Sequence, residues 1–408
     1  MSIHQVLQSL DQIQEWQEET YQYLHSHPEL SMQETQTTQF IFDILQGYGY
    51  QTQLIGGGVV GVLENGKGPT ILFRADIDGL PIKEETGLDY ASQVVMEDRD
   101  GHTVPVMHAC GHDMHIVAGL GAAWALARHT DQWQGTYIAL FQPGEEIAAG
   151  AKAMIEDGLF EKIPRPELAL AQHVLTEPKA GKIGTLSGPF LSSAASLKIT
   201  IYGQGAHGSM PHLSIDPLVI GSSIVMKLQT IVSREVDPFQ FAVVSVGSFQ
   251  SGLKANIIPD SAVLQVNIRA YNEAVQQQVL DSIKRIVHAE CQAGGCTKTP
   301  KIDVFDRYPL TDNDPQITAE VTEAFETYLG KDRVVAYQPM TASEDFSYIP
   351  RALNIPYLYW GFGGFTEDQE IYANHNPKFA PAIQPTLRTG TEAAIVAVLR
   401  YLGKCDES

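Results

Sequence analysis

The chain has 408 residues, 44% of them apolar, and a net charge of −21. That length points to two domains and that apolar content to a sizeable core, while the acidic balance argues against nucleic acid or an anionic membrane as partner. The four cysteines, Cys110, Cys291, Cys296 and Cys405, are too few for a disulfide scaffold and fit a reducing, cytoplasmic compartment. The opening Met-Ser-Ile-His-Gln shows no basic segment followed by an apolar run, so no secretory signal is predicted. No apolar run reaches the ~18 residues of a membrane span.

The first predicted element is a helix over 6–26, with Leu7, Leu10, Ile13, Trp16 and Tyr21 near helical period. His27-Pro28 stops it, because the residue before proline avoids the helical region. A second helix is expected from Met32 to Leu45, then strands at Val59–Leu63 and Thr70–Ala75. A helix over Ile116–Ala127, a strand over Gly135–Phe141, a helix over Ala153–Leu159 and a strand over Leu168–Gln172 follow. This alternation implies an α/β domain with a mostly parallel sheet. Near Gly188 the pattern changes to a strand at 196–202 and a helix at 216–234, opened by Asp216-Pro217. Strands at 241–248 and 261–270, a helix at 273–291 and a strand at 301–305 complete a split βαβ sandwich. We read this as an insertion over 187–302, between the parts 1–186 and 303–408 of the first domain, which ends with helices near 315–329 and 383–402.

Chemistry-bearing residues gather at the carboxyl ends of the predicted parallel strands, where sites in such sheets lie. They are Asp76 and Asp78, Glu145 and Glu146, and His173. The densest stretch is Met107-His108-Ala109-Cys110-Gly111-His112-Asp113-Met114-His115. A thiolate with imidazoles suits zinc and its neighbours; the other reading is a buried thiol beside unrelated histidines. Glu145-Glu146 is either a solvated pair or one metal ligand beside one proton acceptor. His173 and His375 could be ligands or structural histidines. Asp76 and Asp78 could be ligands, caps, or groups that orient ligands. Together these residues exceed what one ion needs, which suggests two ions sharing a bridge. Cys291 and Cys296 read as ordinary thiols.

The ordered motifs resemble those of the aminoacylase/carboxypeptidase-type dinuclear metallo-amidohydrolases. They run from His27-Pro28-Glu29-Leu30-Ser31 through Arg74-Ala75-Asp76-Ile77-Asp78-Gly79-Leu80-Pro81 and His108-Ala109-Cys110-Gly111-His112-Asp113 to Gln142-Pro143-Gly144-Glu145-Glu146. They continue with Gly205-Ala206-His207-Gly208-Ser209-Met210-Pro211-His212, Ala255-Asn256-Ile257-Ile258-Pro259-Asp260, Ser343-Glu344-Asp345-Phe346 and the turn at His375. The match is to the branch of hippurate hydrolases, bacterial N-acyl-amino-acid amidohydrolases and plant indoleacetyl-amino-acid hydrolases.

The resemblance implies two divalent ions (zinc, manganese or cobalt), bridged by Cys110 and completed by His112, Glu146, His173 and His375. Glu145 would be the general base and acid for a metal-activated hydroxide, with Asp78 orienting a ligand. His207 would bind substrate and stabilise the oxyanion, and Asn256 and Arg269 would hold the substrate carboxylate. The insertion would be a lid through which the chain forms a homodimer. The implied reaction releases a free amino acid from a small-molecule N-acyl-L-amino acid. Other readings are a peptidase of short peptides, a thiol hydrolase using Cys110 as nucleophile, and a metal-binding module without catalysis. Lys378-Phe379-Ala380-Pro381-Ala382-Ile383, where the family often carries an acid, has none, which leaves the acyl preference open.

Overall fold

A computed structural model describes residues 3–404; Met1, Ser2 and the last four residues, Cys405 among them, lie outside the described residues. The chain divides into two compact units. One comprises Met1–Phe190, Asp312–Pro339 and Asp345–Ser408, and the other Leu191–Thr311 and Met340–Glu344.

The first unit is built on one sheet of eight strands. In chain order they are β1 (Gln51–Ile55), β2 (Gly58–Asn65), β3 (Thr70–Asp76), β4 (Gly135–Gln142), β5 (Leu168–Ala180), β6 (Ile183–Thr185), β7 (Val334–Ala336) and β8 (Tyr357–Gly363). Their order in space is β1-β2-β4-β3-β5-β8-β6-β7. The central four, β4, β3, β5 and β8, are mutually parallel. β1 and β2 add antiparallel pairings at one side. These central strands are near-continuous apolar runs, as parallel strands covered on both faces require. Ile71, Leu72, Phe73, Ile138, Leu140, Leu170, Leu358 and Trp360 are all buried.

The helix His112–Arg128 is buried without a break from His112 to Leu126. Glycines let its neighbours come close. A Cβ on Gly121 would stand 2.4 Å from Nε2 of Gln17 and 2.9 Å from Cγ2 of Thr391, on helices Gln14–Ser26 and Ile383–Leu402.

The predicted helix over 6–26 is instead two helices, Ile3–Ser9 and Gln14–Ser26, with a 3-10 turn between them. Ser9 Oγ turns back to donate to the Val6 carbonyl at 2.7 Å, a local bond that competes with the helical ladder. Ile13 leaves the helical region at φ −117 and ψ 5. Four strands of this sheet, β1, β6, β7 and β8, fall where no element is predicted. β1 is a mostly exposed edge strand, and β8 is an aromatic-rich run in the centre of the sheet. β5 extends past its predicted end at Gln172 to Ala180, so His173 lies within a strand. Its pairing with β3 nevertheless ends at Ala171, so His173 sits where the sheet opens.

The second unit holds a four-stranded antiparallel sheet in the order Ala242–Gln250, Ser261–Ala270, Ser193–Tyr202, Lys301–Tyr308. Its helices are Pro217–Thr230 and Glu273–Ala293. Asp216 caps the first by accepting from the N–H groups of Leu218 and Val219, and Asn272 caps the second in the same way. Alternate residues Leu197, Ile199 and Ile201 face a core shared with Ile224, Leu228, Leu264, Ile283 and Val287. The element order is that of a split βαβ sandwich. Among the described residues, no helix is long and apolar enough to cross a membrane.

Candidate active site

The site lies within the first unit, at the carboxyl ends of its parallel strands. Gly111 turns the chain from Cys110 into the helix that starts at His112, with φ +85. A Cβ there would meet Cγ1 of Val174 at 2.3 Å, so both conformation and space demand glycine. His112 is fully buried, and its Nδ1 lies 3.0 Å from Oδ1 of Asp78. On β5, Nδ1 of His173 donates to the Val174 carbonyl at 2.7 Å, which leaves Nε2 with its lone pair, 3.4 Å from the Cys110 sulfur.

The turn after β4 carries Glu145, which is buried, and Glu146, whose N–H donates to Oδ2 of Asp78 at 3.1 Å. His375 occupies a left-handed position at φ +69. Its N–H donates to the Ala109 carbonyl at 2.7 Å, and Asn374 donates to the Cys110 carbonyl at 3.2 Å, so the turn is fastened to the cysteine segment.

Ligand-type atoms converge here in overlapping groups, each within 4.8 Å: Cys110, His112 and His173; Cys110, Glu146 and His375; His112, Glu145 and Glu146. Cys110 belongs to the first two. Nε2 of His112 and Oε1 of Glu146 are buried without a hydrogen-bond partner among the described residues. Oε1 of Glu146 lies 3.2 Å from Nε2 of His375, an ion pair when that ring is protonated, and 3.9 Å from Nε2 of His112. Buried polar atoms left without a partner, as Nε2 of His112 and Oε1 of Glu146 are, fit a bound cation. The titrations mark an electronegative cluster, in which an ion would displace the protons that Cys110 and His375 hold. Burial and the Glu146 carboxylate push the Cys110 thiol up. The thiol of Cys110 and the carboxylate of Glu146 raise His375 to about 10. Burial holds His173 well below the usual imidazole range, neutral as a ligand must be. So the donor set, two groups sharing a thiol, fits two divalent ions with soft-to-borderline preference.

Around this cluster, hydrogen bonding sets side chains that are already engaged apart from the candidate ligands. His115 Nδ1 bonds Asp76 at 2.5 Å, and its Nε2 accepts the Val174 N–H at 2.8 Å, so both nitrogens are spent. Asp76 also takes Nη1 of the buried Arg74 at 2.6 Å. Arg74 further reaches Gln142 at 3.0 Å, and Gln142 donates to Asp345 at 2.6 Å. His108 is buried, and burial pushes it down to about 4, a neutral packed ring. The structural role of Arg74 has a sequence signal, a charge inside an apolar strand two residues before an aspartate. Glu34 carries no such signal, although its carboxylate accepts the Gly144 N–H beside Glu145.

Three candidate residues, His207, Asn256 and Arg269, belong to the second unit. His207 is exposed, and its Nδ1 lies 2.7 Å from Ser209 Oγ. The N–H of Gly208 donates to the Asn256 carbonyl at 2.8 Å, which brings His207 and Asn256 side by side. His207 also lines a cavity of about 700 Å³ with Leu253, Lys254, Ile257 and Pro259. Arg269 donates from Nε to Asn267 at 3.1 Å and from Nη1 to the Thr341 carbonyl and Ser343 Oγ at 2.5 and 3.1 Å.

Comparison with known proteins gives a consistent picture. Residues 72–399 match the model of peptidase family M20/M25/M40. The chain is 36% identical over 345 residues to N-acetyl-L-cysteine deacetylase of Bacillus subtilis, covering 84% of this chain and 79% of that protein. It is 32% identical over 410 residues to thermostable carboxypeptidase 2 of Saccharolobus solfataricus, covering 98% and 99%. Among solved structures, a Bacillus subtilis protein described as a dinuclear metal binding peptidase from the M20 family superposes with a TM-score of 0.78 at 28% identity, covering 95% of this chain and 98% of that one.

Proposed function

Since this chain belongs to peptidase family M20/M25/M40 and is an amidohydrolase, we propose that it cleaves the amide bond of N-acyl-L-amino acids to a carboxylic acid and a free amino acid. The observation that carries this reading is the sharing of Cys110 by two ligand groups, with Glu145 in the adjoining group. Cys110, His112 and His173 would hold one divalent ion, and Cys110, Glu146 and His375 the other. Bound there, the ions supply Lewis acidity toward the amide carbonyl and toward a water molecule.

The chain's own residues do the rest. Glu145 takes the proton of the attacking water and returns it to the amine nitrogen as the C–N bond breaks. Asp78 fixes the ring of His112 through Nδ1 and the backbone of Glu146 through its N–H, so it orients two ligands at once. His207 donates a hydrogen bond to the developing oxyanion. Asn256 and Nη2 of Arg269, whose Nε and Nη1 are steadied by Asn267, Thr341 and Ser343, take the substrate carboxylate. The second unit is a lid. The exposed Leu218, Val219 and Met226 of its helix Pro217–Thr230 and the edge strand Ala242–Gln250 support a homodimer through it.

The test is turnover of a panel that varies the acyl group and the amino acid separately, before and after chelation and with zinc, manganese or cobalt restored. No turnover of any N-acyl amino acid under any metal refutes the reading. The likeness to a carboxypeptidase favours a second reading, cleavage of short peptides; preference for unblocked dipeptides over N-acyl amino acids in the same panel would establish it.

A further inference from the structure

Two glutamates stand near the start of the helix Thr35–Gly47, and the structure gives them different work. Glu34 occupies the N-cap position, yet its side chain makes no capping hydrogen bond. Glu29 takes that role instead, accepting the N–H groups of Gln36 at 3.1 Å and Thr37 at 2.8 Å. Glu34 is thereby released from its own helix. It is 3% exposed and accepts the N–H of Gly144 at 2.8 Å.

Gly144 is the hinge of the turn that presents Glu145. It is left-handed at φ +56, and its carbonyl accepts the N–H groups of both Ala149 and Gly150 at 3.1 Å. A Cβ on it would stand 2.6 Å from Sδ of Met32, so the turn lies against the segment that carries Glu34. The same segment holds the turn by a second route. Ser31 Oγ donates to Oδ2 of Asp78 at 2.7 Å, and that oxygen accepts the Glu146 N–H. Residues 29–34 therefore grip Glu145 on both flanks, and Glu34 holds the flank that no ligand-orienting aspartate touches.

We propose that Glu34 is a positioning residue for the general base: by fixing the amide plane of Gly144 it sets the direction of the Glu145 carboxylate. This rests on the reading of Glu145 as the base. Burial and the nearby Asp78 carboxylate raise Glu34 to about 8, so near neutrality a neutral acceptor is enough at this position. A glutamine, whose carboxamide oxygen also accepts an N–H, is then the conservative replacement. An aspartate keeps the carboxyl group but shortens the reach.

The experiment compares zinc-loaded full-length Glu34→Ala, Glu34→Asp, Glu34→Gln, Glu145→Gln and Glu34→Ala/Glu145→Gln proteins on an N-acetyl amino acid that the parent hydrolyses. E34A and E34D are expected to lose about 10²-fold in kcat, the scale of a misplaced catalytic group. KM should stay within about threefold, because substrate binding is untouched. Zinc content should match the parent, E34Q should restore most of kcat, and E34A should cost nothing further once Glu145 is Gln. Amide exchange of Gly144 should be slow in the parent and E34Q and fast in E34A and E34D. A fully active E34A or E34D beside an inactive E145Q overturns this inference alone. So does a loss in E34A that persists undiminished in the E145Q background. A fully active E145Q overturns the base reading and this inference with it.

Discussion

Raising the pH should weaken the first unit through one side chain, His25. Its Nδ1 lies 2.7 Å from Asp113 and its Nε2 3.1 Å from Glu84, and all three side chains are buried. The rings of Tyr21 and Tyr90 close the other sides. Burial by itself would push the imidazole down, but the two carboxylates more than offset it and lift His25 to about 9. The rise from 6.5 corresponds to about 3 kcal/mol by which the folded state prefers the proton. The sign follows from linkage. Below 6.5 both states carry the proton and the stabilisation is complete; between 6.5 and about 9 only the folded state does, and stability falls until the contribution is gone.

The assay is urea unfolding followed by tryptophan fluorescence. Trp16, Trp124, Trp133 and Trp360 all lie in the first unit, so the signal reports that unit. The gap in unfolding free energy between the parent and a His25→Gln protein should narrow by about 3 kcal/mol from about pH 6 to about pH 10. A gap that stays constant over that range would show that His25 does not carry the proton between its two carboxylates.

Three further outcomes follow from the site. Glu145→Gln should cut kcat by at least about 10²-fold with metal content unchanged, as judged by elemental analysis; retention of more than about a tenth of the rate would remove Glu145 as base. Cys110→Ala should lower metal content and rate together, because it subtracts a donor from both ligand groups, and full occupancy in that protein refutes the bridging role. Gly111→Ala should destabilise the first unit by about 2 kcal/mol or more, since it adds a Cβ at φ +85 and 2.3 Å from Val174. A change below about 0.5 kcal/mol in urea unfolding would mean that the turn relaxes around the methyl group.

The α/β class, the parallel strands and the residues at their carboxyl ends were legible because each rests on local pattern. β8 was legible in principle too. Tyr357-Leu358-Tyr359-Trp360-Gly361-Phe362-Gly363 is an apolar, aromatic run of strand length, which is the signal a fully buried parallel strand leaves. What could not be read were pairings between residues far apart in the chain. His25 finds Asp113 across 88 positions and Glu84 across 59. Gly144 finds Glu34 across 110. No periodicity encodes such partners. The capping of Thr35–Gly47 shows the same limit, because Glu34 stands where a cap belongs while the bond is made by Glu29, five positions earlier.

Residue type also fails to separate ligand from support, and here hydrogen-bond accounting decides. The stretch 107–115 offers one thiol, three imidazoles and one carboxylate. An imidazole has two nitrogens. His115 spends both, on Asp76 and Val174, and Asp113 is engaged by His25. His112, at the start of a helix, spends Nδ1 on Asp78, and His173, on β5, spends Nδ1 on the Val174 carbonyl, so on each ring Nε2 is the nitrogen left for a ligand role. Asp76, though within ligand distance of His112, is satisfied by Arg74 and His115. Subtracting these commitments leaves Cys110, His112 and His173 as one candidate ligand group and Cys110, Glu146 and His375 as another. Their orientations are set by a backbone carbonyl for His173, an aspartate for His112 and a left-handed turn for His375.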